Sequence, residues 1–162
     1  MYDSSSKIVI VILAVFLMAG SVGLYAMSML LSETNPDVRE LPHEYDVEGS
    51  LDGSICFGEG KTTFIPESEV QHIYSFYYDV AAGDETYSDN FVIAFDRDDK
   101  PVENIYDYVG EGKILDVNVT IWSFDHKGTH IQFYVGEKCL IYMFDLISDR
   151  VVLTATISDI DL

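Results

Sequence analysis

The sequence predicts one N-terminal transmembrane α-helix followed by an all-β domain of the antiparallel β-sandwich class. Two observations predict this division. Residues 8–31 are an uncharged apolar run, whereas the rest of the chain consists of short apolar or alternating segments separated by turn signals. The composition, 48% hydrophobic and 13% aromatic, is that of a chain that buries a core.

The apolar run is long enough to span a membrane. At the rise of an α-helix, residues 8–31 would extend about 36 Å, which exceeds a hydrocarbon core of about 30 Å. The alternative is a cleaved signal peptide, with Ala19-Gly20-Ser21 as the cleavage site. A signal peptide is disfavoured because the apolar run continues to Leu31, so we expect a retained single-pass signal-anchor after a short tail of residues 1–7.

The charges beside the anchor predict its orientation. Lys7 and the amino terminus lie on one side, and the other side is acidic from Glu33 onward, with Arg39 as the one basic residue before residue 48. Because basic flanks remain in the cytoplasm, we expect a cytoplasmic N-terminus and an extracellular C-terminal domain at the cell membrane.

One face of the predicted helix carries small residues. Ala19, Gly23 and Ala26 are spaced at i, i+4 and i+7, and small residues allow transmembrane helices to approach closely. The face is therefore a candidate for homo-oligomer formation. Small residues are also common in such helices without any packing role, and this alternative remains open.

The formal net charge of −19 lies almost entirely beyond the anchor. Asp3 and Lys7 are the charged residues before Glu33, so the other 27 acidic and 8 basic residues lie from Glu33 onward. Nucleic-acid binding requires basic side chains that displace counterions from phosphates, so this charge argues against a nucleic-acid partner. A charged partner would be a cation or a basic surface. The alternative is that the acidity only keeps an exposed domain soluble.

Proline marks a spacer between the anchor and the domain. Pro36 and Pro42 lie among charged residues, and proline both lacks a backbone donor and disfavours helix in the residue before it. We therefore predict a linker over residues 32–47 and an acidic β domain over residues 48–162.

The domain sequence contains eight strand signals and one helix signal. Glu59-Gly60 predicts a hairpin turn between the first two strands, and Pro101 with Gly110 brackets a predicted short helix. The predicted strands cover residues 54–58, 61–65, 70–80, 91–95, 113–124, 131–135, 138–145 and 151–158. This number of short strands predicts a β-sandwich, with an immunoglobulin-like form as one candidate and a small β-barrel as the alternative.

Alternation assigns faces within two of these strands. In 70–80, one face carries apolar and aromatic residues, which form either core or a stacking platform for sugars or peptides. That face comprises Val70, His72, Tyr74, Phe76, Tyr78 and Val80. In 113–124, we expect Leu115, Val117, Val119 and Ile121 to point inward, with Asp116, Asn118 and Thr120 outward.

Two features follow from the predicted extracellular location. Cys56 and Cys139 predict one intramolecular disulfide, and the alternatives are two separate thiols or an intermolecular bridge. Alternation within its strand places Cys56 opposite Ile55 and Phe57, which suggests an outward side chain. Asn118-Val119-Thr120 is an N-glycosylation sequon.

Two groups of side chains are candidate metal ligands. Asp96, Asp98, Asp99 and Glu103 offer the oxygen ligands that Ca²⁺ prefers, although the spacing does not fit an EF-hand. The alternative is an ordinary solvated acidic loop, and no other cofactor is expected. His126 and His130 bracket a turn after Asp125, but two histidines do not complete a zinc site.

No family and no catalytic motif can be identified from the residues, so function is predicted from organisation. We expect a single-pass surface protein whose acidic β domain is a binding or structural module and not an enzyme. Its partners would be the lipid bilayer at residues 8–31 and a protein or other cell-surface ligand. The alternatives are a pilin-like filament subunit and an exoplasmic hydrolase.

Overall fold

The protein is described by a computed structural model that covers residues 41–68 and 71–160, which belong to the unit Val38–Leu162. These residues form a nine-stranded antiparallel sheet with almost no helix, which confirms the predicted all-β antiparallel class. The strands are β1 (His43–Leu51), β2 (Ser54–Ser68), β3 (Gln71–Ala82), β4 (Glu85–Asp96), β5 (Asp107–Ile114), β6 (Val117–His126), β7 (Thr129–Val135), β8 (Ile141–Ile147) and β9 (Val151–Ile157).

The sheet is built from two meanders joined at its centre. Its strand order is β4-β3-β2-β1-β9-β8-β7-β6-β5, so each meander contains only sequential hairpins and the first strand pairs with the last. Pairing of β1 with β9 runs from Tyr45 opposite Ile157 to Leu51 opposite Val151. The two edges of the sheet are therefore β4 and β5.

Aromatic side chains show that the sheet curls so that its two halves face each other. Phe76 on β3 stacks on Phe144 on β8 with ring centroids 4.2 Å apart, although three strands separate β3 from β8 in the sheet. Phe91 on β4 also contacts Phe124 on β6, at 5.6 Å. The inner face of the curled sheet is thus the core, and burial of these rings stabilises the fold.

The predicted anchor lies outside the described residues, as does its small-residue face of Ala19, Gly23 and Ala26. Among residues 41–68 and 71–160, the structure contains no helix with the length and apolarity that a membrane span requires.

The domain begins earlier than predicted. Residues 43–47 were assigned to the linker, but they form the first part of β1, where Tyr45 and Val47 are buried and Glu44 and Asp46 are exposed. This alternation is a strand signal that the prediction missed because Pro42 and the charged residues suggested a spacer.

The two-residue turn lies at a different place from the predicted one. Strand β2 runs without interruption through Glu59-Gly60, and Gly60 is needed because a Cβ there would lie 2.8 Å from the Phe76 ring. Instead, the predicted strand 113–124 is divided by a turn at Leu115 and Asp116, whose φ angles are 46° and 68°. Both φ values are positive, as a type I′ hairpin turn requires.

The predicted helix between Pro101 and Gly110 is wrong. One hydrogen-bonded turn is present, in which Tyr106 N donates to Val102 O at 3.1 Å, and β5 begins at Asp107. Pro101 pairs with Phe95 at the edge of β4. The segment therefore lies along the edge of the sheet and does not form the predicted helix.

The faces of β2 and β6 are also opposite to those predicted. Cys56 is fully buried, whereas Ile55 and Phe57 are 76% and 64% exposed on the outer face. On β6, Trp122 and Phe124 pair with the buried residues Phe133 and Ile131, so these two even-numbered residues point inward, although Val119, which was predicted to be inward, is also buried. The face predicted for β3 is confirmed for Tyr74, Phe76, Tyr78 and Val80, which lie in the core.

Buried tyrosines predict a loss of stability at high pH. Burial raises the pKa of Tyr45 and Tyr78, and burial together with the hydrogen bond donated to Asp145 raises the pKa of Tyr134 to about 12. An unfolded tyrosine ionises near pH 10, so unfolding releases protons above that pH. The free energy of unfolding should therefore be unaffected by these groups below about pH 10 and should decrease toward pH 12. Urea unfolding at a series of pH values measures this.

The variant Tyr134→Phe provides the control for the alkaline effect. It removes one phenol with a raised pKa, so its free energy of unfolding should decrease less steeply with pH than that of the parent. A free energy of unfolding that stays constant from pH 9 to about pH 12 in the parent would contradict the prediction.

Candidate functional site

A groove of about 1090 Å³ lies at one end of the described sheet. Three parts of the chain surround it: the β4–β5 connection, the neighbouring strands β5 and β6, and the β7–β8 connection. Trp122 and Thr120 line it from the inward face of β6, where they pair with Phe133 and Val135. The groove is therefore an open continuation of the inner face beyond the packed core.

Two aromatic side chains form one wall of the groove. Tyr108 on β5 and Trp122 on β6 are cross-strand partners, and their rings meet edge to face with centroids 5.2 Å apart. Trp122 Nε1 donates a hydrogen bond to Thr120 Oγ1 at 3.0 Å, which fixes the indole ring. Tyr108 is 54% exposed and Trp122 only 7% exposed, so the tyrosine ring is the accessible surface.

Tyr106 anchors the groove to the core. Its buried ring packs on Phe124 and Phe133, with centroids 5.1 Å and 5.2 Å away. The Tyr106 hydroxyl accepts a hydrogen bond from Ala94 N at 2.8 Å on the edge of β4. Burial raises the pKa of Tyr106, so its hydroxyl remains protonated at neutral pH. These contacts fix the part of the groove that connects β4 to β5.

A hydrogen-bonded loop fixes one rim. Asp96 Oδ1 accepts hydrogen bonds from Asp98 N at 2.8 Å and from Lys100 N at 3.1 Å. Asp99, next in the loop, has a φ of 61°, a left-handed conformation that is uncommon for a residue other than glycine. Its carboxylate lies 3.6 Å from His72 Nε2. The rim is therefore held in one conformation by local hydrogen bonds and long-range contacts.

The opposite rim is formed by the β7–β8 connection. Lys138 and Cys139 have φ angles of 56° and 59°, so two successive residues other than glycine are left-handed. The Tyr142 ring lies directly against Gly136, where a Cβ would be 3.1 Å from Tyr142 Cδ2. Cys139 Sγ donates to Asp99 Oδ1 at 3.3 Å, which connects the two rims. Unfavourable backbone conformations that neighbouring contacts maintain are typical of binding and active sites.

The groove is acidic. Its lining includes six carboxylates against two lysines, Lys100 and Lys138. The carboxylates belong to Asp98, Asp99, Glu103, Asp107, Glu111 and Glu137. Among the residues that the structure describes, Glu103, Asp107 and Glu111 form no ion pair, so no described basic side chain neutralises their negative charge.

The predicted calcium ligands do not form a metal site. Asp98, Asp99 and Glu103 line the groove, but Asp96 uses its carboxylate to accept backbone hydrogen bonds within its own loop. Within residues 41–68 and 71–160, no group of three or more histidine, cysteine, aspartate or glutamate side chains is placed to hold a metal ion. The four acidic residues are close in sequence, but their side chains do not converge.

The predicted disulfide between Cys56 and Cys139 is not formed, and both thiols are buried. Cys56 on β2 pairs with Gly49 on β1, Gly49 pairs with Leu153 on β9, and Leu153 pairs with Leu146 on β8. Cys56 is therefore level with Leu146 across the sheet. Cys139 precedes Ile141, at the other end of β8, so about 16 Å along the strand direction separates the two cysteines. A disulfide requires Cα atoms within about 7 Å. Burial also raises the pKa of the Cys56 thiol, which reduces its reactivity.

The two histidines of the β6–β7 hairpin lie on opposite faces. His130 pairs with Asp125 and its Nδ1 lies 2.8 Å from that carboxylate on the outer face. His126 points inward, with its ring 6.1 Å from that of Phe91. The two imidazoles therefore cannot share a metal ion with Asp125.

Asn118 is exposed and lines the groove, on the same face of β6 as Thr120 and Trp122. Its side chain is exposed, as predicted and as the sequon requires, although Trp122 on the same face is buried. Glycosylation itself remains a prediction. A glycan on Asn118 would enter the groove, so the binding experiments described below use protein from a host that does not attach N-glycans.

Sequence reasoning found part of the groove and missed its aromatic wall. It singled out Asp98, Asp99, Glu103 and Asn118, but not Tyr108, Trp122 or Glu111. Tyr108 was assigned to the predicted helix, where it had no reason to be near Trp122. Trp122 is the single tryptophan in the sequence. Its position after an alternating segment was the available signal for the aromatic wall.

No protein-family model and no curated protein sequence matches the chain. Solved structures of PNGF-II are among those similar to it. The structure in the C2 space group has a TM-score of 0.32 at 10% identity, and the structure in the P21 space group has a TM-score of 0.31 at 12% identity. Each match covers 75% of this chain and 28% or 29% of the PNGF-II chain, so this chain spans less than a third of the proteins that it matches.

Proposed function

We propose that the chain is a surface protein whose β domain is a binding module, with the groove as its binding site. Residues 8–31 would anchor it in the cell membrane and leave the domain outside. The curled sheet would provide a rigid, sandwich-like scaffold. The observation that carries this proposal is the exposed Tyr108 ring beside Trp122 in an acidic groove, where Glu103, Asp107 and Glu111 have no ion-pair partner among the described residues.

The geometry supports recognition because the groove combines the features that binding sites share. Such sites are concave, contain aromatic surface and place a few polar groups that orient the ligand. Here the aromatic surface is Tyr108, and the polar groups include the Asn118 amide and the Glu111 carboxylate. Both rims are held by hydrogen bonds, so little conformational entropy would be lost when a ligand binds.

The single tryptophan allows a direct test of the binding site. The full chain, solubilised in detergent and labelled with 5-fluorotryptophan, gives one fluorine resonance, from Trp122. We expect at least one compound in a library of peptides, oligosaccharides and amines to shift this resonance in a saturable way. Tyr108→Ala should weaken that binding by roughly tenfold, because one aromatic contact contributes about 1 kcal/mol or more.

Tyr77→Ala is the matched control. Tyr77 is 48% exposed, similar to Tyr108, but it lies on the outer face of β3 and lines a separate, smaller recess. Its replacement should leave the affinity unchanged within about twofold. The proposal is wrong if no compound shifts the Trp122 resonance, or if both tyrosine variants weaken binding equally.

A further inference from the structure

We infer that the ligand of the groove is an extended peptide segment that carries lysine or arginine side chains. This inference rests on the proposed function and adds the chemical class of the ligand. Four observations support it: the charge of the groove, its accessible aromatic ring, the unpaired edge of β5 and the volume of the recess.

The charge of the groove favours a cationic ligand. Six carboxylates face two lysines, and Glu103, Asp107 and Glu111 have no ion-pair partner among the described residues. Negative groups that share a partly enclosed recess raise the local concentration of cations and repel anions. An acidic or phosphorylated ligand would be excluded for the same reason.

The aromatic wall favours a cation with an apolar stem. Ammonium and guanidinium groups are attracted to the faces of tyrosine and tryptophan rings. Lysine and arginine side chains also place their methylene groups against apolar surface while the charged end stays near solvent or carboxylates. Tyr108 provides such a ring, and Glu111 on the same strand provides a carboxylate for the charged end.

The edge of β5 favours a peptide backbone. In the described part of the chain, the β-ladder hydrogen bonds of β5 all run to β6, so its other edge has unpaired N–H and C=O groups. The other edge strand, β4, is covered at its C-terminal end, where Val102 N donates to Ala94 O at 3.2 Å and Pro101 pairs with Phe95. An extended peptide can add to an open edge through main-chain hydrogen bonds. Asp107, Tyr108, Glu111 and Gly112 of β5 also line the groove, so the open edge borders it.

The volume favours a peptide segment over a small metabolite. Pockets for small molecules occupy about 300–1,000 Å³, and this groove of about 1090 Å³ is at the upper limit of that range. Four residues of β5 line it, so an extended chain can lie along that strand.

The test uses three peptides of eight residues that differ only in charge: alternating threonine with lysine, with glutamine or with glutamate. Spermine, a cation without a peptide backbone, is the fourth probe. Each is titrated into the full chain in detergent, and Trp122 fluorescence reports binding. We expect the lysine peptide to bind at least about tenfold more tightly than the glutamine peptide and spermine, and the glutamate peptide not to bind. Affinity for the lysine peptide should decrease as the salt concentration rises.

Two charge-matched variants locate the effect. The groove variant combines Glu103→Gln, Asp107→Asn and Glu111→Gln, and the control variant combines Glu48→Gln, Asp84→Asn and Asp149→Asn, which are exposed residues outside the groove. Each removes three negative charges from the same net charge of −19. Each exposed charge pair changes affinity about twofold to fivefold, so the groove variant should bind the lysine peptide about tenfold or more weakly. The control should differ from the parent by less than about threefold.

Three outcomes would overturn the inference. In the first, the lysine and glutamine peptides bind with equal affinity. In the second, the groove variant and the control variant lose equal affinity for the lysine peptide. In the third, spermine binds as tightly as the lysine peptide. In each case the proposed function survives if another compound still shifts the fluorine resonance of Trp122 and depends on Tyr108. If no compound does so, the proposed function fails with the inference.

Discussion

Replacing Phe76 with alanine is expected to lower the free energy of unfolding by about 3–5 kcal/mol. The Phe76 side chain is completely buried, and its ring contacts those of Tyr45, Phe91 and Phe144 at 5.3, 5.2 and 4.2 Å. These partners lie on β1, β4 and β8, so one ring connects both halves of the curled sheet. Alanine would leave a cavity between strands whose hydrogen bonds to their own neighbours limit how far they can collapse.

The measurement is urea unfolding of the full chain in detergent, followed by Trp122 fluorescence. Tyr77→Ala is the matched control because Tyr77 is the next residue on β3 and its side chain is on the outer face. We expect that variant to lose about 0.5 kcal/mol or less. Comparable losses in the two variants would show that the packing of Phe76 does not join the two halves of the sheet.

Replacing Gly58 with alanine is expected to lower the free energy of unfolding by about 3 kcal/mol or more, at the upper end for overpacking. A Cβ on Gly58 would overlap the carbonyl oxygen of Asp79 and would lie 2.7 Å from the Cα of Val80. Both atoms belong to the backbone of β3, which pairs with β2. A backbone cannot turn away as a side chain can, so β2 and β3 would have to separate.

Gly110→Ala is the control for this second prediction. Gly110 also lies in a strand, but a Cβ there would meet no atom within 4 Å. Its replacement should change the free energy of unfolding by no more than about 0.5 kcal/mol. The same urea titration compares the two variants, and a Gly58→Ala protein as stable as the parent would disprove the close approach of β2 and β3.

The predictions that succeeded from sequence depend on residues that are adjacent in the chain. Alternation in β3 placed Tyr74, Phe76 and Tyr78 on one buried face, and the structure confirms it. The turn between His126 and His130 was also predicted, and the structure places Lys127 and Gly128 at positive φ between β6 and β7. In these cases the local pattern contains all the information that the local structure requires.

The predictions that failed depend on partners distant in sequence. Glu59-Gly60 is a typical turn pair, but Gly60 lies in the middle of β2 because the ring of Phe76 occupies the space of its side chain. Leu115-Asp116 is an unusual turn pair, and its positive φ angles follow from the pairing of β5 with β6. Propensity at both places is overridden by packing and strand pairing.

The candidate site was predictable only in part. Acidic residues in the β4–β5 connection and Asn118 were visible as sequence features, and they do line the groove. The Tyr108–Trp122 pair was not visible, because the two residues meet only through the register of β5 and β6. Because residues 101–110 were predicted to form a helix, the pairing of β5 with β6 was not expected.

Sequence patterns alone were sufficient to identify the described part of this chain as an antiparallel all-β domain and to show that the chain is strongly acidic. Strand signals, turns and charge are local or additive properties, so they can be read without a structure. By contrast, the central pairing of β1 with β9, the inward orientation of Trp122 and Phe124 on β6 and the position of the groove depend on contacts between distant parts of the chain. Alternation gives every strand two faces, and which face becomes the core depends on the strands that fold against it.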